Sequence, residues 1–201
     1  AVLLTPVTIS TTATQTSPVG TYPITVAGAT AANYTIVFVN GTLTIQPQQS
    51  QTITFNTLPV KTYGNADFAI GATSTNATIP ITYVSSNTAV ATIVGNNIHI
   101  VGAGTSNITA SQAGSIGYTP AADVTRTLTV NKAPLTIRVR DTSKLQGQPN
   151  PTYTITYTGF VLGETAASLL TPVQVVTSAT TTSAPGYYPL TLQGATSGNY
   201  N

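Results

Sequence analysis

The chain has 201 residues, enough for one or two domains with a proper core, yet only ten are charged and the net charge is +2. Charge this thin and even excludes the electrostatic footprint that nucleic acid or an anionic lipid surface requires. With no cysteine and no run of about eighteen apolar residues, neither a disulfide framework nor a membrane-spanning helix is expected.

Threonine takes the place of charge, at 42 residues, with Val, Ile and Tyr beside it. β-Branched side chains lose rotamer freedom in helices and pack well on a pleated surface. With 16 Gly and 13 Pro as punctuation, the composition reads as all-β. Stability in such a chain must come from sheet packing.

Residues 1–46 alternate in the manner of strands. Tyr22, Ile24 and Val26 fall on one face, with Pro23 and Thr25 on the other, and Gly20 and Gly28 bracket them as turn residues. Tyr34–Val39 reads as the next strand, and Asn40-Gly41 as a two-residue hairpin turn into Leu43-Thr-Ile45. Asn33-Tyr34 is expected to be a turn followed by a core aromatic. The polar, uncharged residues 47–50 then form a linker.

Residues 51–132 read as a different module, with about seven short strands at the spacing of a β-sandwich. Predicted strands cover Gln51–Asn56, Asp67–Ile70, Ile79–Val84, Val90–Ile93, Ile98–Val101, Asn107–Ala110 and Val124–Val130. Gly102-Ala-Gly-Thr105 lacks the lysine and following helix of a phosphate loop and is read as a hairpin turn. Residues 133–201 start a third segment. Leu135–Arg140 and Tyr153–Tyr157 are predicted strands, Gly147–Pro151 is a turn cluster, and Thr165–Leu170 is the one plausible helical turn.

From Ala167 onward the sequence returns to its beginning. At an offset of 166 residues, 20 of 35 positions are identical without a gap, from Ala1/Ala167 to Thr35/Asn201. A fixed internal period marks repeat architecture, so these residues read as a window of a longer repetitive polypeptide. Ala1-Val-Leu-Leu lacks the basic start and apolar length of a signal peptide, so any export signal is expected outside the window.

Ser17-Pro-Val-Gly-Thr-Tyr-Pro-Ile, Asn33-Tyr34 and Asn40-Gly-Thr-Leu-Thr-Ile45 resemble the MBG domain, a mostly-β, glycine-rich repeat of very large bacterial surface proteins. In the C-terminal copy Gly147–Pro151, Tyr157-Thr-Gly-Phe160 and Gly186-Tyr-Tyr-Pro189 carry the likeness, with Gln146 where a tyrosine is usual. Ser85-Ser-Asn-Thr-Ala-Val-Ala and Gly102-Ala-Gly-Thr-Ser-Asn-Ile-Thr-Ala110 resemble a bacterial immunoglobulin-like domain of group 2 type. The resemblance implies the C-terminal part of an MBG-like module at 1–46, an Ig-like β-sandwich at 51–132, and the N-terminal and middle part of a second MBG-like module at 133–201. The implied fold is a set of small β-modules arranged end to end. The implied setting is the cell surface, in a secreted adhesin or fibre. Neither family brings catalytic residues to carry over.

The residues themselves point the same way. Only His99 offers an imidazole, mid-strand between Ile98 and Ile100 and facing solvent, with no second histidine or cysteine for a transition-metal site. The four carboxylates are scattered; Asp141 with Glu164 is the one pair considered for calcium, without the clustered oxygens such a site needs. An isopeptide crosslink from Lys61, Lys132 or Lys144 has no supporting signature. Asn33, Asn40, Asn76 and Asn107 each begin an Asn-x-Thr sequon, Asn40 being the best-exposed candidate for glycosylation. No catalytic residue, cofactor or metal is assigned.

The sequence therefore leads to a structural role, a stalk or fibre segment whose partners are neighbouring repeats. A glycan-binding module working through exposed tyrosines such as Tyr187 and Tyr188 is the alternative, although core packing in a strand is expected for both. A third reading is a filament whose subunits complete each other's sheets by strand addition.

Overall fold

The structure, a computed structural model, describes residues 3–201. The fold is all-β, and the described residues hold no α-helix. The contacts divide the chain into two compact units, residues 1–51 with 114–120, and residues 52–113 with 121–201.

The first unit is built on three antiparallel strands in the order β1 (Thr8–Thr11), β2 (Gly20–Ala27), β3 (Gly41–Ile45). Along β2 half-buried and exposed residues alternate strictly, with Tyr22, Ile24 and Val26 on the covered side as the period of two demands. The segment 114–120 joins this unit through a parallel bridge between Gln49 and Tyr118. No residue from 3 to 50 is fully buried, so this sheet carries no closed core.

Two expectations fail in the first unit. Tyr34–Val39 forms no strand, and Asn40-Gly41 makes no hairpin turn. β3 pairs with β2, not with 34–39, and Gly41 is already in the ladder opposite Ile24. The Asn40 side chain accepts a hydrogen bond from Val26 N at 3.2 Å, extending the same pairing by one step. Tyr34 is 64% exposed and no core aromatic.

The second unit contains the core. A four-stranded sheet runs β5 (Lys61–Thr62), β12 (Val124–Asn131), β11 (Gly104–Ser111), β8 (Thr82–Ser85), with β5 parallel to β12. A three-stranded sheet runs β6 (Phe68–Ala69), β10 (Asn97–Ile100), β9 (Ala91–Val94), and β4 (Ile53–Thr54) pairs with β7 (Thr73–Ser74). Ile98 and Ile100 of one sheet and Ile108, Ala110, Leu128 and Val130 of the other belong to a single buried cluster with Phe55. This is sheet-on-sheet packing with alternate residues turned inward. Fully burying Leu128 or Ile108 contributes roughly 1.5–3 kcal/mol each.

Residues 102–104 are not a hairpin turn. β10 and β11 lie in different sheets, so the segment carries the chain from one layer to the other. Gly102 is required there because a Cβ would sit 2.6 Å from Ala89 O.

Past residue 132 lie two antiparallel pairs: β13 (Thr136–Val139) with β14 (Ile155–Thr158), and β15 (Gln174–Val176) with β16 (Thr191–Gln193). The expected helical turn is a 3-10 turn at Ala166–Ser168, closed by a reciprocal capping box between Thr165 and Ser168. The junction read at 131–134 falls inside this unit, where Ala133 belongs to the buried cluster and Leu135, Phe160 and Val161 pack against it.

Candidate functional site

Two places in the second unit stand out. The first is a tyrosine–carboxylate joint where the C-terminal segment meets the sandwich. Tyr200 is 4% exposed, although it lies in the same Asn-Tyr motif as the exposed Tyr34. Its ring meets Phe160 edge-on at 5.2 Å and Tyr63 at 5.7 Å between centroids, the preferred geometry for aromatic pairs. Tyr63 Oη donates to Glu164 Oε1 at 3.0 Å, and Tyr200 Oη donates to Glu164 Oε2. Val161 N in turn donates to Tyr200 Oη at 3.1 Å.

Local backbone features hold these groups. The Ser197 hydroxyl accepts from the N–H groups of Asn199 and Tyr200, forming a small turn that presents both side chains. Asn199 Oδ1 accepts from Ala103 N at 3.0 Å, in the corner between the two sheets. Ala133 N donates to Asn199 O at 2.8 Å, Ala133 O accepts from Asn201 N at 3.1 Å, and Leu135 N donates to Asn201 O at 3.1 Å. Gly64 has φ +89°, and a Cβ there would lie 2.5 Å from Val161 Cγ2. Lys132 Nζ donates to Ser197 O at 2.8 Å.

Burial, reinforced by the Glu164 hydrogen bond, pushes the Tyr200 phenol up to about 12. The Tyr63 phenol is raised by the same causes in the same order. Both therefore remain neutral donors to the carboxylate throughout the ordinary pH range. The group ties residues 160–164 and 199–201 to Tyr63 through one carboxylate shared by two neutral phenols.

The second place is an open groove of about 660 Å³ in the C-terminal segment. Leu145, Tyr153, Tyr187, Tyr188 and Leu190 are among the residues that line it. Lys144 Nζ donates to Gln148 O at 2.9 Å and Thr180 O at 2.6 Å, and Asn150 Nδ2 donates to Ala179 O at 2.8 Å, clamping the 144–150 turn against 179–181. Neither tyrosine is in a strand or in the core: Tyr187 is 106% exposed and Tyr188 lies at the surface.

The two repeated segments also share their local structure. Thr14 N bonds Ser17 Oγ at 2.8 Å, and Thr180 N bonds Ser183 Oγ at 2.8 Å. Tyr22 Oη donates to Pro18 O at 2.8 Å, and Tyr188 Oη to Ala184 O at 3.0 Å. Thr5 and Thr171 donate to the carbonyls of Gly28 and Gly194. The model of the MBG domain, YGX type, matches residues 3–44 and 135–201, more than half of the chain. The chain belongs to the MBG family. No curated protein matches it. MBG repeats are structural domains found in cell-surface proteins, and this chain is a repeat region of that kind.

The remaining candidates are dispersed across the MBG chain. His99 is exposed on β10, opposite in direction to Ile98 and Ile100, and its Nδ1 lies 2.7 Å from Asp67 Oδ1, a partner the sequence does not reveal. Among the described residues no three of His, Cys, Asp and Glu gather into a metal-holding group. Asp141 lines the groove, whereas Glu164 belongs to the joint. Lys61 lies over the Phe68 ring at 4.5 Å, while Lys132 and Lys144 bond backbone carbonyls. Asn33 and Asn40 are exposed. Asn107 accepts from Thr127 Oγ1, and Asn76 is buried with its Oδ1 held by Thr78. Sequence reasoning weighed Glu164 only as a calcium ligand with Asp141 and missed its role as the shared acceptor of Tyr63 and Tyr200. Its only signal was being one of four carboxylates in a chain otherwise short of charge.

Proposed function

We propose that this chain is a non-catalytic structural segment of an extracellular cell-surface adhesin or fibre, with MBG-like modules and an immunoglobulin-like module arranged end to end for reach. The observation that carries the reading is the 166-residue period, in which matching residues form matching hydrogen bonds. In repeat polypeptides each unit contacts only its neighbours, so length grows by a fixed step per repeat. The neighbouring repeats of the same polypeptide or filament are the partners. The test is small-angle scattering on polypeptides carrying one, two and three periods. Maximum dimension rising by a constant increment supports the fibre, and dimensions growing only as the cube root of mass overturn it.

Glycan or surface recognition through the groove is the second reading, favoured by the fully exposed Tyr187 ring. A glycan array decides it: specific hits lost in Tyr187→Ala support the reading, and an array without hits refutes it.

A further inference from the structure

Among the described residues of the second unit, both parallel strand contacts fall on one continuous stretch, residues 130–135. β5 lies along its first part, with Lys61 opposite Val130 and Thr62 opposite Asn131, and Tyr63 N donates to Asn131 O at 2.9 Å. Residues 199–201 lie along its second part, through the parallel bridge of Ala133 with Tyr200 and the backbone bonds of Ala133 and Leu135. The two flanking strands are also tied directly to each other. Tyr63 ends the first, Tyr200 sits in the second, and both phenols donate to the one Glu164 carboxylate. Gly64, just past β5, leaves room for Val161 and so lets the Glu164 segment close over both rings.

Parallel pairing decides how this arrangement meets tension. A pull on Val60 draws β5 toward its own N-terminus, and a pull on Asn201 draws its strand the opposite way. Both strands run parallel to 130–135, so both ladders are loaded along the strands and across their hydrogen bonds. Bonds loaded across their length share the force and yield together. An antiparallel ladder pulled apart at its end gives one rung at a time. The Glu164 bridge transmits force from Tyr63 to Tyr200 beside the two ladders, and Lys132 Nζ on Ser197 O adds a further tie.

We propose that the two parallel pairs on residues 130–135, bridged by Tyr63, Glu164 and Tyr200, form a mechanical clamp that keeps the second unit folded under tension. The clamp rests on the fibre reading and deepens it, by naming the part of each period that bears the load. It fails separately, because scattering reports how length grows with repeat number and the following test reports the lifetime of a single chain under force.

The chain has no cysteine, so a pair of introduced ones sets the two points of attachment for a constant-force measurement. Val60→Cys with Asn201→Cys loads the clamp along its strands. Thr82→Cys with Ser111→Cys is the comparison, since these residues stand opposite each other at the end of the β8–β11 ladder and a pull there peels it. At equal load the first geometry should last at least about tenfold longer, because forced unfolding follows the barrier and not the equilibrium stability. Tyr200→Phe keeps the ring and removes the bond to Glu164. It should shorten the 60/201 lifetime by roughly tenfold or more and leave the 82/111 lifetime unchanged. Three outcomes overturn the proposal: a 60/201 lifetime no longer than the 82/111 lifetime, no effect of Tyr200→Phe in either geometry, or equal shortening in both, which would make the phenol a general support of the fold.

Discussion

Removing the Glu164 carboxylate tests whether the tyrosine joint holds the C-terminal segment to the sandwich. In Glu164→Ala both phenols lose their acceptor, and a buried hydroxyl left without a partner costs about 1–3 kcal/mol. Tyr200 has a fallback, Val161 O at 3.5 Å, which places its loss at the low end. Tyr63 Oη donates to Glu164 alone, so the two together amount to roughly 2–4 kcal/mol. Glu164→Gln keeps one carbonyl oxygen and one phenol satisfied, so its cost should be about half. The assay is native-state hydrogen exchange at Leu135 and Asn201, whose N–H groups close the backbone bridge beside Tyr200. If they exchange through opening of the joint, the Ala variant should speed them by roughly 30- to 1,000-fold, with Gln between it and the parent. Leu128 and Ile108, deep in the sandwich, should change far less. Exchange within about threefold of the parent in both variants would refute the reasoning, because it would mean the carboxylate contributes nothing to the joint.

Alkaline titration reads the same joint without mutation. The raised Tyr200 phenol means the folded state holds its proton to about pH 12, whereas an unfolded tyrosine releases it near 10. Below pH 10 both states are protonated and stability is flat; between about 10 and 12 it falls by on the order of 2–3 kcal/mol. Denaturant midpoints across that range should show a shallower fall in Tyr200→Phe. Gly159→Ala should cost more than about 3 kcal/mol, since φ is +116° and the new Cβ would clash with Pro134 O. Gly163→Ala, with φ +74° and open space around it, should cost only about 1–2 kcal/mol of backbone strain in the same denaturation assay. Asp67→Asn should shift stability by no more than about 1 kcal/mol, despite the 2.7 Å contact to His99, because both side chains are about half exposed.

The parts of the fold legible in the sequence were those decided by local period. β2, β11 and β12 alternate cleanly, and each appears where Tyr22–Val26, Asn107–Ala110 and Val124–Val130 foretold it. The 3-10 turn was legible because Thr165 and Ser168 cap each other within four residues. What failed was pairing. Tyr34–Val39 has strand composition, but strand composition without a ladder partner does not make a strand. Asn40-Gly41 has the chemistry of a tight turn, yet β2 offers its edge and draws Gly41 into the sheet. Gly102-Ala-Gly was read as a hairpin because a turn signal does not say whether the strands it joins lie in one sheet or two. The joint was out of reach for the same reason. Tyr63 and Glu164 are 101 residues apart, and no local pattern links them.

The contrast between Tyr34 and Tyr200 shows what the repeat motif does and does not specify. The two tyrosines occupy the same place in the repeat, one 64% exposed and the other 4% exposed. The difference comes from what surrounds the second: Phe160, Tyr63, Glu164 and the Ala103 amide that fixes Asn199. Asn-Tyr is therefore a plug, and the neighbouring segment supplies the socket. The socket uses aromatic contacts and hydrogen bonds, and its single charge is a carboxylate shared by two neutral phenols. Added salt shortens the Debye length, about 8 Å at physiological ionic strength, and so weakens exposed ion pairs, whereas contacts between neutral groups are little affected by it. A chain with ten charged residues has few ion pairs to lose in any case. Its joint should hold equally in dilute buffer and in about 1 M salt, and the same Leu135 and Asn201 amides measured in both would show it. A tenfold rise in their exchange at high salt would mean the joint is electrostatic after all, and that Lys132 on Ser197 O carries it instead of the tyrosines.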